Sequence, residues 1–396
     1  MPERKAASGT VHWIGTGLST GSGLAIVCDI ADRVVLYGRT VAKAEHCLSR
    51  LGLDGKAETR AFDRDTIGSD VREGDIVVSM LPAPEHVSLI DMCLERQAHF
   101  ACSSYVSPEI AARAAAAEEC GVVVLTESGL DPGIDHLLAH KLVVEARREI
   151  GDEARNVRFT SYCGGVPETP NEIRYRFSWA PRGVLTALKS PARYVDQGAE
   201  KTVDLPWSAT SMYSVSGETF EVYPNRDSVP FVEQYGIPDS WQLETFVRGT
   251  LRLDGWRDSW SSIFTELEHG DDARITALAA ELAARYPTTD ADRDRVVLAV
   301  GLTATAPDGG TWSREYLMDM IGDAEETAMA RCVSVPLACG IADIVSGSSP
   351  AGLSRAIEDH AGVERWLTFL ATHGIQVGLV DDADHDIRTS EARAAR

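Results

Sequence analysis

Three carboxylates, an imidazole, two glycines and a proline lie within ten residues of this 396-residue chain, Glu127-Ser-Gly-Leu-Asp-Pro-Gly-Ile-Asp-His136. The stretch follows the apolar run Val122–Leu125 and precedes the helix-compatible run Leu137–Arg148, so it connects a strand to a helix. Asp131-Pro132 has the form of an N-cap followed by a first-turn proline, which predicts a helix start whose unpaired N–H groups face a ligand. A carboxylate there can stabilise a cation. A second stretch, Gly15-Thr-Gly-Leu-Ser-Thr-Gly21, follows a short apolar strand and has the glycine spacing that lets a backbone approach a pyrophosphate on a helix N-terminus. Its third glycine position holds Thr20, which is expected to crowd the helix against the strand. One candidate thiol, Cys163 in Ser161-Tyr-Cys-Gly-Gly165, stands on an apolar strand, where cysteines are more often buried than reactive. His136 and His140 are four apart, but Leu137 replaces the glutamate of a zinc-hydrolase helix and no metal is expected.

These groups need elements to hold them. Thr10–Gly15, Arg33–Gly38, Lys56–Asp63, Asp75–Leu81, His99–Ser104 and Val122–Leu125 read as six strands, with helices between most of them, including Val41–Leu51, Pro82–Arg96 and Pro108–Cys120. Such β-α-β alternation predicts a doubly wound parallel sheet, whose ligands bind at the carboxyl ends of the strands. The second strand ends in Arg39-Thr40, where an enzyme for NAD usually carries an acidic residue; an arginine there suits the 2′-phosphate of NADP. Beyond residue 150 arginines and aromatics become frequent. Val157–Cys163, Glu218–Tyr223 and Phe246–Leu253 read as strands, Trp256–Tyr286 as helical, Val296–Thr305 with Thr311–Tyr316 as a hairpin, and Ala328–Ser346 as an apolar helix. The Trp256/Trp260 pair is expected to pack, and the acidic runs Asp290–Asp294 and Asp381–Asp386 to be solvated.

Lys plus Arg total 38 against 60 Asp plus Glu, a net charge of −22, which argues against a nucleic-acid or anionic-membrane partner, since those need basic stripes. An anionic ligand must then be held by a few placed arginines. With 44% hydrophobic residues and no long apolar run, no transmembrane helix is expected, and Met1–Thr10 lacks the apolar core of a secretory signal. Eight cysteines without a Cys-x-x-Cys pair fit the reducing cytoplasm.

The motifs, in order, resemble those of the NADP-dependent, glutamate-forming saccharopine dehydrogenases: Gly15-x-Gly17, Gly38-Arg39-Thr40, Ser103-Ser104-Tyr105, Gly129–His136, Ser161–Gly165, Phe177-Ser-Trp179, Tyr223–Ser228 and Arg248–Arg252. The resemblance implies a Rossmann-type doubly wound sheet (1–131 with 335–396) and a second α/β substrate domain (132–334) with a small helical insertion at about 256–295. It implies NADP contacts from Gly15, Thr16, Gly17, Leu18, Gly38, Arg39, Thr40, Asp63, Leu81, Ser103, Ser104, Leu130, Asp131, Pro132 and Ser178. An amino polycarboxylate substrate would meet Ser104, Tyr105, Asp131, Arg226, Thr250, Leu251 and Arg252, with Asp131, Tyr105 and Cys163 as the candidate catalytic groups. The expected reaction interconverts saccharopine with glutamate and 2-aminoadipate 6-semialdehyde, and the expected assembly is a homodimer. An imine reductase of opine or carboxyspermidine type and a non-catalytic cofactor sensor remain the alternatives.

Overall fold

Apolar runs such as Val34–Tyr37 and Ile76–Val78 are buried along their whole length, the pattern of strands covered by helices on both faces. The computed structural model describes residues 4–178, 180–287, 289 and 292–380, and the chain divides into two units. Unit 1 runs through Leu137 and takes up Glu325–Ile375; unit 2 is Leu138–Ala324 with the chain from Gln376 onward.

The first pass through unit 1 is β1 (Thr10–Ile14), α1 (Gly23–Ile30), β2 (Arg33–Gly38), α2 (Val41–Arg50), β3 (Glu58–Ala61), α3 (Arg64–Asp70), β4 (Ile76–Ser79), α4 (His86–Arg96), β5 (His99–Cys102), α5 (Pro108–Ala111), α6 (Ala114–Cys120) and β6 (Val123–Leu125). Thr40, Asp63 and Ser107 cap α2, α3 and α5 through their side chains, each contact stabilising its helix by roughly 1 kcal/mol. The alanine-rich stretch expected as one helix from Pro108 is two, and α3 was not anticipated. Helix α7 (Ile134–Ile150) opens in unit 1 and continues into unit 2.

Unit 2 contains β7 (Arg155–Pro167), α8 (Pro181–Leu188), β8 (Ala192–Asp196), β9 (Ala199–Val203), β10 (Ser211–Val215), β11 (Glu218–Pro224), α9 (Pro230–Gln234) and β12 (Leu243–Leu253). It continues with α10 (Trp256–Ser259), α11 (Ser261–His269), α12 (Asp272–Arg285), β13 (Asp294–Thr305) and β14 (Thr311–Ile321). The chain then returns to unit 1 as α13 (Ala328–Ser346), β15 (Gly352–Ser354) and α14 (His360–Thr372), and β16 (Gly378–Leu379) pairs with β14 of unit 2.

The unit 1 sheet has the order β15-β6-β5-β4-β1-β2-β3, every pair parallel. Strand order reverses between β1 and β4, so a crevice opens at their carboxyl ends. The seventh strand, β15, comes from the returning segment. The unit 2 sheet is mixed, β10-β11-β12-β7-β13-β14-β16, with β8 and β9 attached through β12. Trp256 and Trp260, both wholly buried, join residues of α8, α11 and α12 in one core cluster beside it.

By compactness the chain divides at 137/138 and 324/325, where 131/132 and 334/335 were expected, and among the described residues Gln376–Val380 lie with unit 2, whose sheet β16 extends. One apolar run, Ala328–Ser346, is long enough to cross a membrane by length and composition, but most of its residues are buried within the fold. Asp294 is buried rather than solvated, 3.9 Å from Arg176, while Asp290, Trp179 and the acidic run Asp381–Asp386 lie outside the described residues.

Candidate active site

Four strand ends of unit 1 carry the glycine loop and its neighbours. After β1, Gly15 adopts φ +123°, and a Cβ there would press on Met80, so only glycine fits. At Gly17 a Cβ would meet nothing within 4 Å, which leaves an open approach to the backbone. The amides of Thr16, Gly17, Leu18 and Ser19 bond to no protein acceptor among the described residues, and Leu18 is half exposed. The helix N-terminus itself is occupied. Ser22 N–H donates to the Glu326 carboxylate and Gly23 N–H to the Ser334 hydroxyl at 3.0 Å, so the loop amides, rather than the first turn of α1, are left to meet a diphosphate.

Thr20 does not crowd the packing. It is buried, donates to the Gly15 carbonyl at 3.1 Å and accepts from Trp13 Nε1 at 3.4 Å. Close approach is needed one and three residues later, where a Cβ on Gly21 or Gly23 would overlap Glu326 or the Ser334 carbonyl of the returning segment. At the end of β2, Gly38 is buried against Ala44, Arg39 is exposed and makes no ion pair among the described residues, and Thr40 caps α2. Asp63 follows β3 and caps α3 through Asp65 N–H at 2.8 Å. The unpaired amides, open Gly17 and unpaired Arg39 suit a phosphorylated dinucleotide. Gly15–Leu18 would face its diphosphate and Arg39 its 2′-phosphate.

Asp131 is not a helix cap. Its peptide bond to Pro132 is cis, and α7 begins only at Ile134, whose N–H bonds the Gly129 carbonyl at 2.9 Å. Asp135 N–H bonds the Leu130 carbonyl at 3.2 Å, and Gly133 N–H bonds the Asp135 carboxylate at 2.7 Å. Backbone carbonyls and Asp135 thus satisfy the helix start, and the Asp131 carboxylate accepts a hydrogen bond from the Tyr105 hydroxyl. Gly133, at φ +147°, is held so close to Gly129 that a Cβ would overlap it. Beneath the loop the buried His136 lies between two carboxylates, Glu127 at 3.3 Å and Asp135 at 3.5 Å. Glu127 also accepts from Val106 N–H at 3.1 Å, and its own N–H donates to the Ser104 carbonyl, tying the loop to the Ser103-Ser104-Tyr105 segment. Leu130 is buried, and Ser103 packs against Gly129.

In unit 2 the alternation of β12 puts Arg248, Thr250 and Arg252 on one face and Leu251 on the other, wholly buried in a separate core cluster. The Leu251 side chain is therefore withdrawn from any ligand on the arginine face. Gly249 likewise is required by Tyr162 and the Tyr223 carbonyl rather than by a ligand. Straight across the ladder from Thr250 lie Tyr223 and Cys163, so the thiol, 9% exposed, borders the arginine face. Arg252 is 6% exposed and ringed by Tyr175 at 4.9 Å, Trp256 at 5.5 Å and Tyr223 at 5.7 Å from ring centroid to guanidinium carbon. It donates to the Leu251 carbonyl at 3.0 Å, but its Nε has no acceptor and no carboxylate pairs with it among the described residues. The cross-strand neighbour Glu221 is committed to the amides of Gly255 at 3.3 Å and Arg257 at 2.7 Å, and burial raises its pKa. A desolvated guanidinium without a carboxylate is a site for one.

Arg226 lies beyond the far end of this ladder, exposed at φ +57°. Pro224 pairs with Gly249, three residues from Arg252, so roughly 10 Å of strand separates Arg252 from the level of Pro224, and Arg226 lies two residues further along the chain. Ser178 is buried with its hydroxyl unpartnered among the described residues, which leaves it a donor for a ligand.

Residues 129–375 match the saccharopine dehydrogenase C-terminal domain, and residues 11–125 match the NADP-binding domain of the same proteins. The chain belongs to the saccharopine dehydrogenase family. Among its relatives, the NADP(+)-dependent, L-glutamate-forming saccharopine dehydrogenase of Pyricularia oryzae is 34% identical over 256 residues, 63% of this chain and 56% of the relative. The Saccharomyces cerevisiae enzyme of that name is 37% identical over 229 residues, 56% of this chain and 50% of the relative. The chain thus spans about half the length of the curated relatives it matches. Its fold is shared with the apo, histidine-tagged saccharopine dehydrogenase (L-Glu forming) from Saccharomyces cerevisiae, at TM-score 0.78 and 24% identity over 94% of this chain and all of that one. Homospermidine synthase from Legionella pneumophila, solved with NAD, shares it at TM-score 0.60 and 11% identity, covering 100% of this chain and 97% of that one.

Sequence reasoning missed several groups beside the candidate residues of each unit. Tyr175, Tyr223 and Trp256 surround Arg252, yet only Trp256, four residues on, is near it in the chain. His86, buried between Ser79 and Ser104, was also missed. Its signal was a histidine seven residues after the serine that ends a parallel strand.

Proposed function

We propose that the chain is an NADP-dependent oxidoreductase acting on a carbon–nitrogen bond. It interconverts saccharopine with L-glutamate and L-2-aminoadipate 6-semialdehyde, and works as a homodimer. The observation that carries the reading is Arg252, a buried guanidinium in an aromatic ring set with no carboxylate partner among the described residues. A polyamine substrate would need the opposite charge at such a position. Family membership and the unpaired loop amides beside Arg39 support the choice of cofactor.

In the synthetic direction glutamate's amine condenses with the aldehyde, releasing water and forming an imine. NADPH, when bound, supplies the hydride that reduces that imine carbon. The protein's part is positioning and charge. Asp131 answers the positive charge on the imine or amine nitrogen, and Tyr105, donating to Asp131, fixes the carboxylate and shares its charge. Arg252 takes a substrate carboxylate and Thr250 offers a hydroxyl on the same face. Cys163 borders Thr250, and the chemistry requires no covalent nucleophile.

The reading is tested by a substrate panel: saccharopine oxidation with NADP, and NADPH consumption with glutamate plus 2-aminoadipate semialdehyde, against diamine-derived imines. Turnover of the diamine series and none of the saccharopine pair would overturn it. Sedimentation velocity reading a monomer at assay concentration would remove the homodimer.

A further inference from the structure

Strands β4 and β5 lie side by side, with Ser79 opposite Cys102, and His86 at the start of α4 bridges Ser79, the last residue of β4, and Ser104, two residues beyond β5. Its Nδ1 is 3.0 Å from Ser79 Oγ and its Nε2 is 2.9 Å from Ser104 Oγ. The ring is wholly buried, set edge-on to Phe100 with centroids 5.8 Å apart. Burial without a charged partner holds its pKa down at about 4, so at neutral pH the imidazole has one donor and one acceptor.

Which nitrogen donates is decided by Ser79. That serine is buried, and its oxygen already receives Leu81 N–H at 3.4 Å. Among the described residues the one acceptor for its hydroxyl proton is His86 Nδ1. Were Nδ1 to carry a proton instead, the Ser79 hydroxyl would be buried without an acceptor, an arrangement that costs more than the bond returns. Nδ1 therefore accepts, Nε2–H donates to Ser104 Oγ, and the Ser104 proton is turned away from the histidine. No protein acceptor among the described residues receives it.

We infer that His86 is a positioning residue that fixes the polarity of Ser104, making its hydroxyl an obligatory hydrogen-bond donor to a carboxylate or carboxamide oxygen of the bound ligands. The inference rests on reading Ser104 as a ligand contact, and it extends that reading by assigning the direction of the bond. A carboxylate oxygen would belong to the substrate, and a carboxamide oxygen to the nicotinamide.

Long-range proton–nitrogen NMR of the NADP-loaded enzyme, with histidine alone labelled with nitrogen-15, reads the tautomer directly and does not depend on activity. The expected result is Nε2–H for His86, unchanged from pH 6 to pH 8; an Nδ1–H tautomer, or a titration in that range, overturns the inference. Kinetics supply the second arm. His86→Gln keeps an acceptor and a donor, whereas His86→Leu keeps neither. The leucine variant should lose about tenfold in one affinity, with glutamine restoring most of it. A loss in the saccharopine KM places the acceptor on the substrate, and a loss in the NADPH Kd places it on the cofactor. Equal losses in both variants would mean that His86 only fills space. Inactivity of the wild-type enzyme toward saccharopine would overturn the proposed substrate while leaving the tautomer measurement intact.

Discussion

Replacing Arg252 with methionine should have two effects of opposite sign. The guanidinium is 6% exposed, stacked near three rings, with no carboxylate partner among the described residues, so the ligand-free protein carries the cost of a desolvated charge. That cost is several kcal/mol, against roughly 0.5 to 2 kcal/mol for each favourable contact with an aromatic face. Methionine fills similar volume and is at home among aromatic rings. Stability without substrate should therefore hold or rise by about 1 to 2 kcal/mol, a rise that would lift the Tm by roughly 2 to 8 °C for a unit of this size. Substrate binding should move the other way. Loss of a charge-assisted bidentate contact, about 3 kcal/mol, corresponds to a rise of roughly a hundredfold in the saccharopine KM. NADP affinity should not change. Thermal scans with and without saccharopine, alongside initial rates, measure both effects. The reasoning is refuted if Arg252→Met lowers the ligand-free Tm while the saccharopine KM stays at its starting value, since Arg252 would then be structural.

Arg39→Asp should erase or invert a preference for NADPH over NADH that we expect to be at least about tenfold, because the exposed guanidinium at the end of β2 has no ion pair among the described residues to answer. Equal use of the two cofactors by the parent enzyme would contradict this. Asp131→Asn should depress kcat far more than NADPH affinity, since backbone carbonyls and Asp135, not Asp131, satisfy the start of α7; full turnover in that variant would leave the carboxylate without a role. Acid should weaken the fold through His86 and His99, both held by burial at about 4. The unfolded chain takes up these protons near pH 6.5 and the folded protein does not, so stability is full above that pH and falls as pH drops towards 4. The loss is about 2 kcal/mol per histidine at pH 5. Urea unfolding midpoints that are equal at pH 8 and pH 5 would show that neither histidine behaves so.

The parallel sheet and its ligand edge were legible because each unit of strand, turn and helix is local in sequence. What escaped was non-local. The role expected of a third glycine at position 20 is filled by Gly21 and Gly23, because the partner pressing on α1 is α13, about three hundred residues later. Asp131-Pro132 has the composition of a helix start, yet the carbonyls of Gly129 and Leu130 reach the first amides of α7 and displace the cap, a closure set by loop shape rather than residue type. Thr250, Leu251 and Arg252 were taken together although a strand alternates its faces, and the register that separates Leu251 from its neighbours also brings Tyr223 and Cys163 beside Thr250. Two aromatics of the Arg252 surround come from distant segments, and nothing in a linear reading joins them.

The central claim is the reaction itself. Purified protein should oxidise NADPH when given L-glutamate and L-2-aminoadipate 6-semialdehyde together, but not with either alone, and should reduce NADP in the presence of saccharopine. Absence of turnover in both directions, in protein shown by titration to bind NADPH, would contradict it.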